Sequence, residues 1–298
     1  MKIHLIYNPI SGKKNNSTII QQIVKCAKKH NVELVTYQSQ SPKDIGELTK
    51  KLTSSNTPTN LMVMGGDGSA HDALNGIVNF EKTNLYILPG GSGNDFFREL
   101  GWNTKDSLVD VFEKLITKAR IKKADYFLLN NKYRCLNEIS FGMSADILYC
   151  RAKMKHFKPQ TQYTIAMFKK GLFYTNYEFD LFYPETKKYD KIIGPFLTFG
   201  NGQYSGGGLK TAPRSKIDDG LITVSAIKKF PRICILPILL SVKRGTIDRS
   251  KHHLCRHVKE VDVVIKKGVV SSDGVLFEKL KKLNIKVMPK KLNLAVLN

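Results

Sequence analysis

Three glycine-bearing loops hold the residues best suited to chemistry in this sequence. "GGDGS" (65–69) follows the apolar run "NLMVM" and precedes the helix-like stretch "AHDALNGIVNF", and "NPISGKK" and "PGGSGND" follow two other apolar runs. Glycine lets backbone approach an anion closely and adopt positive φ, and a helix N-terminus attracts phosphate. A tight turn without a ligand explains any one of these loops. Three of them at one edge of a sheet would favour a phosphate-binding surface.

An acid stands inside the first of these loops. Asp67 would repel a phosphate unless a divalent cation lay between them, and Mg²⁺ is typically held by one or two carboxylates together with substrate phosphates. Asp95 occupies the equivalent place in "PGGSGND" and is a candidate for the second carboxylate. The hydroxyl of Ser69 is a candidate phosphate donor. The spacing matches neither a Walker A loop nor the Gly-x-Gly-x-x-Gly fingerprint, so a nucleotide site here would be of another kind.

The elements around these loops alternate between strand and helix. Over residues 1–125, strand-like runs such as "IHLIYN" and "NLYILPGG" are separated by amphipathic, helix-like stretches. This order is typical of a parallel sheet with right-handed crossovers, in which the loops after the strands share one edge. We therefore predict an α/β domain over 1–125, acting in nucleotide binding.

The pattern changes after residue 125. Over 126–288, strand-like runs such as "YRCLNEISFG" and "DGLITVSAI" follow one another with fewer helices between them. Sequential strands joined by short turns favour an antiparallel sandwich or barrel. We expect a β-rich second domain over 126–288, with segment 289–298 as a candidate to return to the first domain.

The formal net charge of +23 predicts attraction to polyanions, either nucleic acid or an anionic membrane face. Basic pairs are spread along the chain without a helix-turn-helix or stacking pattern, which argues against nucleic acid. The densest patch, "RAKMKHFK" (151–158), suits a surface that docks on anionic lipid, but a solvated helix face would explain it equally well.

No stretch has the ~20 apolar residues of a spanning helix. The nearest candidate, "FPRICILPILLSV" (230–242), is interrupted by prolines, and we expect a buried or partly buried helix there, with an interfacial segment as the alternative. The N-terminal "MKIHLIYNP" reads as a strand and turn, so we expect a cytoplasmic protein. The sequence leaves open whether the protein forms a homodimer.

The five cysteines are widely separated and form no Cys-x-x-Cys pair, so we expect reduced, mostly buried thiols. "KHHLCRH" (251–257) gathers potential metal ligands, but no second cluster stands at a suitable spacing, and we expect a solvated basic loop.

Several motifs together resemble one known family. "GGDGSAHDALNG" followed by "LPGGSGND", with "NPISG" before them and "APRSKIDDGLITV" after them, is similar to the diacylglycerol kinase catalytic-domain family, and most similar to its soluble bacterial lipid kinases, which are related to sphingosine and NAD kinases. The resemblance covers nearly the whole chain. It implies a two-domain enzyme that uses ATP and Mg²⁺ to phosphorylate a lipid hydroxyl.

The resemblance also implies roles for individual residues. Contacts to the nucleotide and its phosphates would come from Asn8, Ser11, Gly65, Gly66, Gly68, Ser69, Gly91 and Ser92. Asp67 and Asp95 would bind or organise the catalytic Mg²⁺, with Asp125 as a supporting carboxylate. A second, structural Mg²⁺ would be held at the "KIDDGL" turn by Lys216, Asp219 and Leu221. From the residues alone, that segment reads as a tight turn.

The sequence departs from the family pattern at three positions. Ser69 replaces a threonine and Asp72 a glutamate, and both keep the chemistry of the side chain. The third departure is greater, since the family has Asp-Gly-Glu where this chain has "SSDGVLFE". Val275 cannot accept a proton or bind a metal. Either Asp273 or Glu278 substitutes for the missing glutamate, or phosphoryl transfer tolerates its loss at a reduced rate, or the chain is not a working kinase. We place Asp273 among the candidate catalytic residues.

The main hypothesis is an ATP- and Mg²⁺-dependent kinase of a lipid hydroxyl, with diacylglycerol as the first candidate, acting at an anionic membrane surface. The rival is a nucleotide- or lipid-binding homologue with weak or no turnover. Loss of a general base costs about 10²- to 10⁴-fold in rate, so Val275 keeps this rival open.

Overall fold

The structure is a computed structural model, and it describes residues 1–8, 16–41, 44–91, 93–103, 105–154 and 159–297. The chain divides into two compact units. Unit 1 comprises Met1–Asp125 and Lys290–Asn298, and unit 2 comprises Tyr126–Pro289. The C-terminal segment thus belongs to the same unit as the N-terminus.

Unit 1 alternates strands and helices as the hydrophobic pattern predicts. Its elements are β1 (Lys2–Tyr7), α1 (Asn16–Lys29), β2 (Glu33–Gln38), α2 (Asp44–Thr53), β3 (Thr59–Gly65), α3 (Asp67–Gly76), β4 (Thr83–Pro89), a 3₁₀ helix (Phe96–Leu100), α4 (Leu108–Thr117) and the first half of β5 (Arg120–Leu129).

The sheet of unit 1 is parallel. The strands lie in the order β2-β1-β3-β4, and the end of the last strand of the chain pairs in parallel with β4, Asn293 opposite Asn84. β3 and β4 are almost continuously apolar and buried, as strands covered on both faces should be. The α/β prediction is confirmed.

Unit 2 is mainly antiparallel. After the second half of β5 its elements are β6 (Tyr133–Cys135), β7 (Glu138–Gly142), α5 (Met143–Ala152), α6 (Pro159–Leu172), β8 (Tyr177–Tyr183), β9 (Lys188–Gly194), β10 (Phe196–Gly200), β11 (Tyr204–Ser205), β12 (Leu209–Lys210), β13 (Ile222–Ile227), a 3₁₀ helix (Arg232–Cys234), α7 (Ile235–Arg244), a 3₁₀ helix (Ile247–Arg249), β14 (His253–Val258), β15 (Glu260–Ile265), β16 (Val270–Ser272), β17 (Val275–Phe277) and β18 (Lys282–Val296), which continues into unit 1.

Two antiparallel sheets form the core of unit 2. One has six strands in the order β14-β13-β10-β7-β16-β17, and the other runs from the first part of β18 through β15 and β8 to β9. Alternate residues of both sheets share one apolar cluster, which includes Phe141, Phe199, Phe179 and Val263. Two sheets facing one core make a sandwich, so the β-rich prediction is confirmed and the barrel alternative is set aside.

Two segments singled out in the sequence, 251–257 and 230–242, have defined secondary structure. The "KHHLCRH" segment is mostly strand β14, paired with β13, and the expected loop is therefore wrong. Pairing with a neighbour inside a sheet outweighs the weak strand propensity of a basic segment. The segment 230–242 forms a 3₁₀ turn and helix α7 and is partly buried, which agrees with the helix expected there.

Candidate functional site

The loops after β1, β3 and β4 begin at the same edge of the sheet of unit 1. Tyr7 is opposite Met64 and Gly65 is opposite Pro89 in the parallel registers, so the carboxyl ends of these strands align. This edge is where ligands bind in open parallel sheets. Asn8 follows β1 directly and is half-buried. Two of the predicted nucleotide contacts, Ser11 and Ser92, lie outside the described residues.

Two of these loops pack backbone against backbone. The N–H of Gly90 donates to the carbonyl of Gly65 at 2.8 Å. A Cβ on Gly91 would lie 2.4 Å from the Cα of Gly66, closer than atoms can approach. The missing side chains of Gly66 and Gly91 therefore let the two loops come together.

The positive φ expected for the "GGDGS" glycines is wrong. Gly66 has a φ of −91°, Gly65 ends β3, and Gly68 lies in the first turn of α3. Gly68 differs from the other two, because a Cβ there would meet nothing within 4 Å. It leaves open space beside the N-terminus of α3, where the helix dipole is positive, although the N–H groups of Ser69 and Ala70 already donate to the carbonyl of Gly66. This is the glycine whose geometry suits approach of an anion.

Asp67 begins α3 and ties the two loops together. Its carboxylate accepts hydrogen bonds from the N–H of Asp95 (3.2 Å) and the N–H of Phe96 (3.1 Å). A carboxylate in the first turn is also favoured by the helix dipole. Asp67 thus has a structural role in addition to any role in metal binding.

The second carboxylate lies close to the first. Asp95 is buried, and its Oδ1 is 3.7 Å from Nε of Arg98. The Oδ2 atoms of Asp67 and Asp95 lie 3.1 and 3.6 Å from the position that a Cβ on Gly93 would take. The two acids predicted from separate loops therefore converge beside Gly93. Their oxygen ligands are those that Mg²⁺ prefers, so the residues present fit this ion.

Asn94 is a site residue that the sequence interpretation missed. It has a φ of 51°, in the left-handed region, and its side chain accepts from the N–H of Gly91 (3.0 Å) and donates to the carbonyl of Gly91 (2.9 Å). The signal was present, since asparagine beside glycine is favoured at left-handed turn positions. Asn94 holds the loop that presents Asp95.

The predicted supporting carboxylate, Asp125, is fully buried in β5. Its Oδ1 accepts the N–H of Lys290 at 2.6 Å, at the residue where the chain re-enters unit 1. Asp125 therefore fixes the return of the C-terminal strand.

The "KIDDGL" turn has the local geometry of an Asx turn. Asp219 Oδ1 accepts the N–H of Leu221 at 3.0 Å, and Gly220 has a φ of 71°. Lys216 and Asp219 are exposed. A carboxylate at a tight turn with backbone carbonyls is a donor set suited to Mg²⁺, and the metal role of Lys216, Asp219 and Leu221 stays a prediction.

Asp273 and Gly274 form a two-residue hairpin between β16 and β17, with Ser272 opposite Val275. Both turn residues have positive φ, 48° and 85°, as a type I′ turn requires, and Asp-Gly is a favoured pair for it. This backbone requirement explains the Asp-Gly pair without any catalytic role.

The carboxylate of Asp273 is buried and accepts four hydrogen bonds. The donors are the N–H groups of Leu136 (2.7 Å), Asn137 (2.8 Å) and Glu138 (3.1 Å), and the thiol of Cys135 (3.3 Å). Burial, with the nearby Asp273 charge, raises the pKa of the Cys135 thiol well above its ordinary value. A carboxylate engaged in this way is an anchor for the 135–138 backbone, which weakens the expectation that Asp273 acts as a base.

Two family models match the chain. Residues 2–129 match the family described as "Diacylglycerol kinase catalytic domain", and residues 137–296 match "YegS C-terminal NAD kinase beta sandwich-like domain". The chain belongs to the diacylglycerol kinase catalytic-domain family. It is thus related to transferases of the lipid kinase type.

Several relatives span most of the chain, and two of them serve as examples. The "Probable lipid kinase YegS-like" of Shewanella frigidimarina is 25% identical over 289 residues, covering 94% of this chain and 90% of its own. The "Diacylglycerol kinase" of Staphylococcus carnosus is 25% identical over 269 residues, covering 90% and 82%.

Two solved structures share the fold. A diacylglycerol kinase of Bacillus anthracis has a TM-score of 0.73 at 20% identity, covering 99% of this chain and 96% of its own. An NAD kinase of Archaeoglobus fulgidus, solved in complex with ATP, has a TM-score of 0.54 at 12% identity, covering 100% and 94%.

The resemblance places Val275 where the family pattern is expected to have a glutamate. Val275 is half-buried at the start of β17, and Glu278, beyond the end of that strand, is exposed. Asp72, the other acidic departure, lies half-buried in α3, where burial raises the pKa of its carboxyl. Neither Glu278 nor Asp72 occupies the position of Val275, where the family pattern has the glutamate of Asp-Gly-Glu.

A buried acid in β7 was also missed. Glu138 accepts hydrogen bonds from the hydroxyls of Ser205 and Thr198, and its backbone exchanges hydrogen bonds with Asp273. An acid inside the apolar run "NEISFG" was the available signal. Glu138 is therefore a further candidate, within unit 2, for the acid that Val275 does not supply.

Among the described residues, one group of side chains has the spacing of metal ligands, and it is not the "KHHLCRH" segment. It consists of Cys26, His30 and Glu113. His30 Nε2 lies 2.7 Å from Glu113 Oε1, and Lys29 Nζ lies 3.4 Å from the same atom. These contacts satisfy Glu113 without an ion. Of the five free cysteines, Cys26 and Cys135 are buried and the other three are half-buried, so the thiols are less buried than expected.

Proposed function

We propose that the chain is an ATP- and Mg²⁺-dependent lipid kinase that phosphorylates a lipid hydroxyl, with diacylglycerol as the first candidate, at the cytoplasmic face of a membrane. Membership in the diacylglycerol kinase family supports the reaction class. The ATP complex of the related NAD kinase and the names of the relatives support the choice of ATP and of a lipid acceptor.

The observation that carries the proposal is the convergence of Asp67 and Asp95 beside Gly93 at the carboxyl edge of the unit 1 sheet. Phosphoryl transfer needs positioning and charge stabilisation more than covalent participation of the protein. When bound between these carboxylates and the phosphates, Mg²⁺ would neutralise negative charge on the phosphates. The pair thus supplies what this chemistry needs.

Other residues of unit 1 would position the triphosphate. Gly68 leaves room for a phosphate oxygen at the N-terminus of α3, where the N–H of Gly68 and the positive end of the helix dipole would attract it. Asn94 fixes the loop of Gly91 through two hydrogen bonds, so the loop that presents Asp95 is held in place before the ligand binds. A preorganised site of this kind costs little reorganisation during the reaction.

The second candidate function is a nucleotide- or lipid-binding homologue with little or no turnover. Val275 favours it, because this side chain cannot accept the proton of the lipid hydroxyl. The hydrogen bonding of Asp273 adds to this argument, since its carboxylate already accepts from the backbone N–H groups of three residues. The carboxylate of Glu138 is the remaining candidate for proton acceptance in unit 2.

Transfer of labelled phosphate from ATP to a panel of lipids in anionic vesicles tests the proposal. Asp67→Asn and Asp95→Asn should each lower transfer by at least about 100-fold, whereas Glu81→Gln, an exposed acid of unit 1, should leave it unchanged. Circular dichroism and thermal unfolding establish that each variant is folded. Transfer that survives in both aspartate variants would refute the metal assignment.

Variants of unit 2 distinguish the two candidate functions. If the wild-type chain transfers phosphate, Glu138→Gln should lower the rate with little change in nucleotide affinity, while Glu278→Gln should have no effect. The wild-type chain could instead bind ATP and transfer no phosphate to any lipid, while Val275→Glu gains transfer. That result would identify the wild-type chain as a nucleotide- or lipid-binding homologue.

A further inference from the structure

Three large apolar side chains are exposed together on the segment of the 3₁₀ turn and α7. Ile233 is 88% exposed, Leu236 68% and Leu240 49%. Leu236 and Leu240, four residues apart, lie on one side of α7, and Ile233 precedes Leu236 by three residues in the 3₁₀ turn that leads into the helix. We call these three residues the α7 apolar face. Single exposed apolar residues are ordinary on soluble proteins, but three together on one segment mark an interaction surface.

The opposite side of the same helix anchors it to unit 2. Ile238 and Val242 are buried in an apolar cluster with Tyr174, Phe196 and Phe230. The hydroxyl of Tyr174 donates to the carbonyl of Phe230 at 3.0 Å, at the residue where the segment begins. The helix is therefore fixed on unit 2 with its second apolar side directed to solvent.

Basic residues flank the α7 apolar face at both ends. At its N-terminal end are Lys228, Lys229 and Arg232, and at its C-terminal end are Lys243 and Arg244. All five side chains are exposed. Residues 221–247 contain no aspartate or glutamate. A short apolar face with cationic ends is complementary to a bilayer interface, because apolar side chains enter the acyl boundary while lysine and arginine reach the anionic headgroups.

We propose that the α7 apolar face docks unit 2 on an anionic lipid bilayer. A protein partner would require acidic groups matched to each end of a 10-residue helix, whereas an anionic bilayer supplies negative charge at every position around it. The net charge of +23 adds a long-range attraction to the same partner. The proposed lipid kinase activity gives the reason for docking, but the binding itself does not depend on that activity.

The α7 apolar face also accounts better for docking than the 151–158 patch does. Residues 155–158 of that patch lie outside the described residues, and the described residues 151–154 show no large exposed apolar side chain. Charge without insertion gives weak, strongly salt-dependent binding. The α7 segment combines both contributions in one element.

Vesicle flotation tests the proposal, without ATP or an acceptor lipid, so that an inactive kinase gives the same answer. The probes are phosphatidylcholine vesicles and vesicles with about one third phosphatidylglycerol. Ile233→Gln with Leu236→Gln should lower partition into the anionic vesicles at least about tenfold. The matched control is Val78→Gln with Ile121→Gln, two exposed apolar residues of unit 1, which should leave partition unchanged.

A second pair of variants tests the basic ends. Lys243→Gln with Arg244→Gln should lower binding and make it less dependent on salt, while Lys50→Gln with Lys51→Gln, which removes the same charge from α2, should have a smaller effect. In an Ile233→Trp variant, tryptophan emission should shift to the blue on adding anionic vesicles. Equal losses in the controls, or an unchanged emission, would overturn the proposal.

Discussion

At the residue scale, the glycine loops show why a motif can be located correctly and still be explained only in part. The sequence indicated that "GGDGS" and "PGGSGND" lie at one sheet edge, and their registers confirm it. It did not indicate that Gly66 and Gly91 contact each other, because such contact depends on the tertiary approach of two loops. Only at Gly68 does the structure leave the open space for an anion that was expected at all the glycines of these loops.

Gly91→Ala and Gly68→Ala should therefore have opposite effects on stability. The added Cβ of Gly91→Ala would lie 2.4 Å from Gly66 Cα and 2.9 Å from Asn94 Oδ1, and we expect a loss of about 1–3 kcal/mol in the free energy of unfolding. Gly68→Ala meets open space in a helix and should be neutral or more stable by up to about 1 kcal/mol.

Urea unfolding and calorimetric titration with ATP measure both effects. If phosphate approaches Gly68, the Gly68→Ala variant should be stable yet bind ATP several-fold more weakly. Unchanged ATP affinity in this variant would show that the open space at Gly68 is not used by the nucleotide.

The candidate catalytic residue of unit 2 illustrates a second limit at the residue scale. Asp-Gly within a strand-rich region is a favoured hairpin pair, so the turn at Asp273 could be predicted from the sequence. The hydrogen bonds from Leu136 and Asn137 could not, since these residues are more than 130 positions away in the chain. Long-range partners decide whether an acid is available for chemistry.

At the element scale, hydrophobic periodicity was sufficient for the fold class. Buried, continuous strands such as β3 and the alternating pattern of β8 correspond to the parallel and sandwich sheets that the sequence predicted. β14 was missed because "HLCRHV" has few β-formers, and its conformation is set by pairing with β13. Weak local signals yield to neighbours in the sheet.

That pairing creates a pH-sensitive position. His253 of β14 lies with Nε2 2.8 Å from the hydroxyl of Ser225, and burial lowers the pKa of His253 to about 4, with Arg214 also lowering it and Asp248 opposing. In the unfolded chain the pKa is the ordinary 6.5. As pH falls below 6.5, the unfolded chain gains a proton that the folded chain does not, so stability is lost between pH 6.5 and about 4.

We expect the wild-type chain to lose about 1–2 kcal/mol more than His253→Gln between pH 7 and pH 5, because the variant lacks the titrating ring. Urea unfolding at the two pH values measures the difference. His257→Gln, an exposed histidine of the same strand, is the matched control and should behave as wild type. Equal pH dependence in wild type and His253→Gln would contradict the burial argument.

At the scale of the whole molecule, β18 joins the two ends of the chain into one unit. The first part of the strand pairs with β15 in unit 2, and its last part pairs with β4 in unit 1. Leu292, Leu294 and Ala295 are fully buried. From the sequence, segment 289–298 was only a candidate to return to the first domain, because an apolar pattern predicts a strand but not the sheet that the strand joins.

Asn293 provides a test of how strongly this return stabilises unit 1. Its side-chain amide nitrogen lies 3.1 Å from the carbonyl oxygen of Phe80, 3.3 Å from that of Glu81 and 3.2 Å from that of Thr83. Asn293→Ala would leave these carbonyls without that donor, and we expect the free energy of unfolding to fall by about 2–3 kcal/mol. Lys291→Ala, an exposed position of the same strand, should change it by less than about 0.5 kcal/mol.

Hydrogen exchange separates this local effect from a general one. In Asn293→Ala, the amides of β4 should exchange faster than in wild type, because their strand neighbour is held less firmly, while the amides of β10 in the sandwich of unit 2 should be less affected. ATP affinity should fall with the protection of β4, since the loop that carries Asp95 begins at the end of that strand. Equally faster amide exchange in both units would mean that the whole chain unfolds as one cooperative body. Asn293 would then not stabilise unit 1 specifically.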